Sequence, residues 1–473
     1  MRMSGKSSRG LLCGLLALAA CNGPSNTLPI HTAAVTFDPA TGKYQLSKVQ
    51  LTTITDLETL KGSVANIQGG AEVVIDSSDP KLAAAQTNDD IKAAILKDPG
   101  GDVRASFITS GDTQFPADFH SENMVTTYFN FERSFNFYST LGWSLAQGGT
   151  PTVYYFPTFI ETQLSAQPLA DNAAFFSLID GFMILPFKQF QDVPLPMNLG
   201  IIGHEYSHFQ TNTRVFSGQA IPDFYSQYGA FASGTPSPAA NVLKSFDEGF
   251  ADLFGTGVTC LSDEKTLDPS HCDPNFIAAS IPGASTDRRL DTIHCYDQNL
   301  YAQVNNDDLT TFTNGSYQYQ LGTVLASSVW KAAHDPDVVG KLGQQEALQM
   351  AFQAVYNALD DETNNGFGIK QFLTQLAGAA IYVRPETVAD AVIFQAQKQD
   401  DGLAAAMCDA FIDRLGTVES TGQSGITQCQ GACNGPTDVK EVFTDSSSSV
   451  TLGCLCACTK YPTIHSNGEC ASQ

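Results

Sequence analysis

The segment IIGHEYSHF over residues 201–209 constrains the chain more than any other, because it puts two histidines into an apolar stretch. The flanking apolar residues predict a buried helix over 198–214. His204 and His208 are four residues apart and therefore lie on one face of that helix, where both imidazoles can reach one metal ion. The alternative is a helix with two surface histidines, which the apolar character of the segment disfavours.

Glu205 and a later acidic segment complete the predicted metal site. Glu205 can serve as the general base for a water molecule that the metal activates, without being a ligand. A catalytic zinc ion needs a third protein ligand, and we expect it in SFDEGFAD over 245–252, within a predicted helix over 244–257. Glu248 and Asp252 share a helical face, so one can ligate zinc while the other accepts a hydrogen bond from a ligand histidine. The alternative is that Glu248 only completes a capping box that begins at Ser245, at the start of a helix.

The two motifs together resemble those of the gluzincin metallopeptidases of the thermolysin and fungalysin type, with Tyr206 and Gly249 favouring the fungalysin side. The similarity extends over about residues 120–417. It implies an α+β, thermolysin-like two-lobed fold, in which a β-containing N-terminal lobe faces a helical C-terminal lobe. It also implies zinc ligation by His204, His208 and Glu248, general-base catalysis by Glu205, and orientation of His204 by Asp252.

The same resemblance implies residues that bind the substrate. Asn172 and Ala173 match an edge strand that hydrogen-bonds an extended peptide through its main chain. Arg289, in the pair Arg288-Arg289, matches an arginine that binds a substrate carbonyl, although a solvated basic pair is an equal alternative.

Tyr319 is the main departure from the family, because it stands where the family has the histidine that stabilises the oxyanion. A phenol hydroxyl can donate the same hydrogen bond, so we predict that Tyr319 does so, with Tyr317 and His294 as second choices. The alternative is that Tyr319 only packs and that the oxyanion lacks its donor.

The N-terminus predicts export. A basic start, a short apolar run and small residues before Cys21 resemble a bacterial lipoprotein signal over 1–20, with Cys21 as the lipidated residue. Ten cysteines follow Cys21, and an exported chain is expected to pair them as disulfides. We therefore expect a lipid-anchored protein of the cell envelope, or an extracellular one.

The chain divides into a series of predicted segments. They are a signal peptide over 1–20, a linker over 21–30, a small β-rich domain over 31–115, a catalytic lobe with the HExxH helix over 116–214, a helical lobe over 215–417 and a disulfide-rich tail over 418–473. Within the helical lobe, Gly, Pro and Ser in 218–240 predict an inserted surface loop.

Charge and motif content limit the partners. The chain has 25 Lys and Arg against 49 Asp and Glu, a net charge of -24, which disfavours binding to nucleic acid. We expect a peptide or protein substrate, contact with a membrane only through the N-terminal lipid, and a monomer. Calcium is common in thermolysin-like proteins, but the chain has no D-x-D-x-D-G loop to support it.

The predicted function is that of a zinc-dependent endopeptidase. One alternative is a weakened or inactive homologue that acts as a surface binding lipoprotein, which the tyrosine at position 319 would favour. Another is an aminopeptidase on the same framework, although the chain has no G-x-M-E-N-like run to bind a free amine.

Overall fold

Strands dominate residues 30–184 and helices dominate residues 199–415 in a computed structural model of the chain. The structure describes residues 28–162, 165, 167–187, 192–216, 238–281, 284, 286–305, 316–361, 368–370, 385–415, 463–464 and 470–471. The predicted signal peptide, Cys21, nearly all of the predicted insertion and nearly all of the Cys-rich tail lie outside these residues. Those expectations stay predictions, whereas the mixture of sheets and helices is confirmed.

The described strands form four separate sheets, the largest of which has seven strands. In chain order they are β1 (Ile30–Asp38), β2 (Lys43–Leu51), β3 (Ile54–Asp56), β4 (Lys61–Gly62), β5 (Asn66–Gly69), β6 (Glu72–Ile75), β7 (Leu96–Asp98), β8 (Gly101–Asp102), β9 (Phe107–Ser110), β10 (Thr113–Pro116), β11 (Thr152–Tyr155), β12 (Thr158–Glu161), β13 (Ala173–Phe176), β14 (Gly181–Ile184), β15 (Thr463–Ile464) and β16 (Cys470–Ala471).

The helices are also numbered in chain order. They are α1 (Pro80–Ala84), α2 (Asn88–Ile95), α3 (Phe119–Thr140), α4 (Leu145–Gly148), α5 (Leu199–Arg214), α6 (Pro238–Thr259), α7 (Ile277–Ser280), α8 (Gln298–Val304), α9 (Tyr317–Ala333), α10 (Pro336–Leu342), α11 (Gln344–Leu359), α12 (Pro385–Gln397) and α13 (Asp401–Leu415). Among these described helices, none is long and apolar enough to cross a membrane.

The sheet that borders the site has the order β13-β14-β11-β5-β4-β3, with β8 paired to β5. Its centre is parallel, since Val153 of β11 lies opposite Phe182 of β14 on one side and Ile67 of β5 on the other. β13 runs antiparallel to β14 and forms the edge of the sheet. Within the described residues, no strand pairs with the other edge of β13.

A second sheet, with the order β2-β1-β10-β9, is fastened to α3 by polar contacts. The Val35 backbone N–H in β1 donates to Thr126 Oγ1 at 3.0 Å. The buried Glu132 carboxylate of α3 accepts the backbone N–H groups of Thr52 and Thr53 at 2.9 and 3.1 Å, and it also accepts both of their hydroxyls. The N-terminal strands are thus bound to the helix by paired buried groups as well as by apolar packing.

A single hydrophobic core runs through most of the described chain. It includes residues from Ile30 in β1 to Leu415 in α13, and it also takes in α3, α5, α6 and α9. The predicted β-rich segment over 31–115 therefore packs against the same core as helices α5 and α6. A smaller apolar cluster lies around Val73, Phe159 and Met183.

Helix α5 has nearly the bounds that the sequence predicts, whereas helix α6 begins earlier than predicted. The predicted helix over 198–214 is confirmed, with the Asn198 side chain accepting the N–H groups at its start. Helix α6 begins at Pro238, so Ser245 lies inside it rather than at its N-cap. The Ser245 hydroxyl donates to the Asn241 carbonyl at 2.7 Å, and the capping-box explanation for Glu248 is therefore wrong.

Glycines allow helices α5 and α6 to approach each other closely. A Cβ on Gly203 of α5 would lie 2.9 Å from the Val258 side chain of α6, and one on Gly255 would lie 2.7 Å from the Gly200 carbonyl oxygen. A disulfide between Cys260 and Cys272 fastens the end of α6 to the segment that follows. Cys295 and Cys408 are also disulfide-bonded.

Candidate metal centre

Helices α5 and α6 bring three potential ligand atoms together. His204 Nε2 and His208 Nε2 lie 3.0 Å apart on one face of α5, as expected for an i, i+4 pair. Glu248 Oε2 of α6 lies 3.5 Å from His204 Nε2 and 3.8 Å from His208 Nε2. Within the described residues, these three form the group whose atoms could share one metal ion.

The geometry and chemistry of the three atoms fit zinc. A point equidistant from atoms at these separations lies about 2.0 Å from each of them, which matches ordinary zinc–nitrogen and zinc–oxygen distances. Two imidazoles and one carboxylate are also a usual donor set for catalytic zinc. Moreover, Glu248 Oε2 is buried and has no hydrogen-bond partner in the described part of the chain. A buried oxygen without a hydrogen-bond donor is suited to bind a metal ion.

Carboxylates hold the outer nitrogen of each imidazole. Asp252 Oδ1 lies 3.0 Å from His204 Nδ1, and Asp247 Oδ2 lies 2.9 Å from His208 Nδ1. Both acids belong to α6, so one helix supplies a ligand and orients the other two. In each imidazole, Nδ1 can donate to its carboxylate while Nε2 presents a lone pair to the shared point.

Arg288 neutralises part of this acidic cluster. Its Nε and Nη2 donate to the two oxygens of Asp252 at 2.8 and 2.6 Å, and Nη2 lies 3.6 Å from Glu248 Oε2. Burial alone would raise the pKa of Glu248, but the nearby His204 imidazole and the charges of His208 and Arg288 lower it to about 2. Glu248 is therefore ionised and ready to bind a cation.

The electrostatic potential around the two histidines and Glu248 favours a bound cation. Burial alone would lower the pKa of His208, but its ion pair with Asp247 and the charges of Glu248 and Glu205 raise it to about 10. A proton on this imidazole compensates the surrounding carboxylates, and a divalent ion can take over that compensation when the proton leaves.

Glu205 is held from the opposite side by the edge strand. Its Oε2 accepts the backbone N–H of Phe175 in β13 at 2.7 Å, and its Oε1 lies 4.0 Å from His204 Nε2. Burial raises the pKa of Glu205 above that of an ordinary glutamate. One carboxylate oxygen is thus fixed by β13, while the other is close to the ligand atoms.

A cleft with a volume of about 440 Å³ contains these groups and most of the predicted substrate-binding residues. Its walls include His204, Glu205, His208, Glu248, Asn172, Ala173, Arg288 and Tyr319. Asn172 Oδ1 accepts the Ala173 backbone N–H at 3.0 Å, just before β13 begins. The structure therefore brings the predicted edge strand next to the predicted metal ligands.

Tyr319 enters the cleft from the first turn of α9. The negative charge of Glu248, together with burial, raises the pKa of the Tyr319 phenol, so its hydroxyl stays protonated and can donate. The Arg288 guanidinium carbon lies 4.2 Å from the centre of its ring. The second choices for this role lie elsewhere: the Tyr317 hydroxyl is buried against Asn241, and His294 bonds the Arg289 carbonyl.

The structure does not bring Arg289 into the cleft, and its predicted role in substrate binding stays a prediction. Its side chain is 45% exposed and pairs with Asp291 at 2.9 Å, whereas Arg288 faces the cleft and bonds Asp252. The two arginines lie in an irregular segment, in which only Arg288 lines the cleft. Asp252 contacts His204 as the resemblance implied.

Asp247 is the site residue that sequence reasoning missed. A signal was present, because Asp247 directly precedes Glu248 on a helix that also carries Asp252. These three acids lie within six residues of one helix. They are enough to supply one potential metal ligand and to contact both histidines.

Comparisons with known proteins add little to this description. No protein-family model matches the chain, and no curated protein sequence matches it. Among solved structures, the chain is similar to the precursor of protealysin, a metalloproteinase from Serratia proteamaculans. The identity is 13% and the TM-score is 0.36, over 72% of this chain and 86% of that chain. A likeness of this extent carries no functional conclusion, so function has to be argued from the cleft.

Proposed function

We propose that the protein is a zinc-dependent endopeptidase. The observation that carries this proposal is the approach of His204 Nε2, His208 Nε2 and Glu248 Oε2 to within 3.0–3.8 Å of one another, in a cleft that also contains Glu205. These three residues would hold the zinc ion. When bound there, zinc would supply Lewis-acid chemistry that polarises a carbonyl and increases the acidity of water.

Glu205 is the proposed general base. Its Oε2 is tied to the Phe175 N–H, so Oε1 is the oxygen that can accept a proton from the attacking water. Burial raises the pKa of its carboxyl towards neutral pH, which makes the carboxylate a stronger base than that of an ordinary glutamate. A group of this kind can accept a proton in one step and return it to the leaving amine in the next.

β13 is the proposed binding strand for the substrate main chain. The Asn172 carbonyl accepts the Leu185 N–H, and the Phe175 N–H points to Glu205. Because alternate residues of a strand face opposite edges, the backbone groups of Ala173 and Phe175 face the cleft. Main-chain pairing with an extended peptide needs no free terminus, which supports an endopeptidase rather than an aminopeptidase.

Tyr319 is the proposed donor to the oxyanion. Its hydroxyl remains protonated and its residue lines the same cleft as Glu205. A donor of this kind stabilises the negative charge that develops on the carbonyl oxygen during attack.

Zinc analysis combined with peptide cleavage tests this function. Glu205→Gln should keep stoichiometric zinc and lose at least about 100-fold in kcat, because only the base is removed. Glu248→Ala should lose both zinc and cleavage. The exposed Glu346→Gln, on α11, is a matched control and should behave as wild type.

The assigned roles are wrong if Glu205→Gln cleaves a doubly blocked peptide as fast as wild type does. They are also wrong if Glu248→Ala keeps its full zinc content. Cleavage restricted to peptides with a free amine would instead favour an aminopeptidase.

Export with a lipid on Cys21 is a separate proposal. The Cys260–Cys272 disulfide supports an oxidising compartment. Mass spectrometry of the mature N-terminus should find a diacylglyceryl cysteine, which Cys21→Ser should abolish. An unmodified cysteine in membrane-associated protein would contradict the anchor.

A further inference from the structure

We propose that a second cavity extends the substrate cleft, and that Asn212 in its wall selects substrates by accepting a hydrogen bond from a polar side chain. This inference rests on the proposed endopeptidase function and deepens it by naming a substrate class. The second cavity has a volume of about 600 Å³. It shares Ser177 and Asn212 with the cleft that contains the potential metal ligands, so the two spaces meet at these residues.

The second cavity lies along the path of a peptide bound to β13. Ser177 directly follows β13 and lies two residues beyond Phe175, whose N–H donates to Glu205. Two residues of a strand span roughly 7 Å. Asn212 follows His208 by four residues on α5 and therefore lies on the helix face that carries both histidines. A peptide paired with β13 would thus place a side chain in the second cavity two or three residues from its scissile bond.

Asn212 offers an acceptor that lacks a donor. The residue is 4% exposed, and its Oδ1 is buried without a hydrogen-bond partner in the described part of the chain. A buried polar atom in this condition destabilises a folded protein, and such atoms are uncommon. A bound substrate that donates to Oδ1 would remove this cost, because Asn212 belongs to the wall that both spaces share.

The lining of the second cavity favours a polar side chain over an apolar one. Its charged members are two acids, Asp89 and Asp180, and two lysines, Lys92 and Lys370, whose charges offset one another. Most of its uncharged members are polar as well, namely Asn88, Gln147, Ser177, Asn212 and Thr213.

Glutamine is the side chain that suits this lining. Its amide can donate to Asn212 Oδ1 and accept from the Ser177 hydroxyl. An ionised glutamate has nearly the same shape but has no proton to donate, and a methionine of similar length can neither donate nor accept as strongly. These three side chains therefore separate recognition of the donor from recognition of size.

Cleavage of doubly blocked peptides by the full-length protein tests this selection. The peptides carry glutamine, glutamate or methionine at one position, which is moved from one to four residues on either side of the scissile bond. At a position two or three residues from that bond, wild type should prefer glutamine to both alternatives by about 10-fold in kcat/KM.

Two variants of Asn212 connect the preference to this residue. Asn212→Leu removes the acceptor and keeps a similar volume, so the ratio of kcat/KM between the glutamine and methionine peptides should fall to about 1. Asn212→Ala makes the same test if the leucine variant does not fold. Gln345→Leu makes a polar-to-apolar change at an exposed position of α11 and should keep the wild-type ratio.

The outcomes distinguish this inference from the proposed function. Cleavage by wild type with a glutamine-to-methionine ratio near 1 at every position would overturn the selection alone. An unchanged ratio in Asn212→Leu or Asn212→Ala would overturn the role of Asn212. Failure of zinc-loaded wild type to cleave any of the peptides would contradict the proposed function, and this inference with it.

Discussion

Gly249 of α6 and Gly322 of α9 are in direct backbone contact. A Cβ added to Gly322 would lie 2.6 Å from the Ser245 carbonyl oxygen, and one added to Gly249 would overlap the Gly322 carbonyl. Glu248 directly precedes the first glycine, and Tyr319 lies one turn before the second. The contact therefore determines how closely the proposed metal ligand and the proposed oxyanion donor approach each other.

Gly322→Ala should push α6 and α9 apart and destabilise the protein by about 1–3 kcal/mol, because the added methyl group meets backbone rather than a movable side chain. Denaturant unfolding measures this loss, and zinc affinity should fall with it. Gly340→Ala is the control, since a Cβ there meets nothing within 4 Å. That change should stabilise α10 by about 0.5–1 kcal/mol. Equal stability of the two variants would show that the helices can separate freely.

Tyr319→Phe should lower kcat about 100- to 1,000-fold and leave zinc content and melting temperature unchanged, because only a proposed transition-state donor is lost. Tyr317→Phe provides the comparison. It removes a buried hydrogen bond to Asn241 and should cost about 0.5–1.5 kcal/mol of stability while keeping activity. Steady-state kinetics and thermal melting of both variants check the assignment, and full activity in Tyr319→Phe would exclude it.

Arg288→Ala should destabilise the protein by about 3–5 kcal/mol, since it leaves the buried Asp252 carboxylate without its main cation. Arg289→Ala should leave stability close to that of wild type, because its ion pair is exposed and screened by solvent. Urea unfolding of the two variants provides a direct comparison. A larger loss in Arg289→Ala would mean that the two side chains are exchanged in solution.

Asp273→Asn tests a pH effect outside the site. Burial raises the pKa of Asp273, the Asn275 N–H lowers it by less, and the charge of Asp291 raises it further. The folded state therefore holds this proton more tightly than the unfolded chain, and the associated stability is lost as pH rises above about 4. The variant should be more stable than wild type at pH 7 and similar to it below pH 4. Unfolding free energies of both proteins across this range measure the difference, and a constant difference would contradict the shift.

The local parts of the site could be predicted from sequence. His204, Glu205 and His208 lie within one helix, where spacing alone fixes their common face. Glu248 could be placed because a second helix with suitably spaced acids follows. The neighbours Arg288 and Arg289 could not be distinguished, since the choice depends on the turn of an irregular segment that only tertiary packing sets.

Features that depend on contacts between distant parts of the chain could not be predicted as well from the sequence. Helix α6 begins at Pro238, in a stretch of Pro and Ser that indicates a loop, and its early start removed Ser245 from the cap position. The parallel pairing of Val153 with Ile67 joins residues far apart in the chain, and such pairings have no local signal. Asp247 was missed because one motif offered three carboxylates and only two roles had been considered.

The attachment of Glu132 to Thr52 and Thr53 restricts how the polypeptide can be trimmed. A fragment that starts at α3 would leave this carboxylate enclosed without the donors that now satisfy it. A truncation designed to isolate the helices of the candidate metal site must therefore retain Thr52 and Thr53 if Glu132 is to keep its donors.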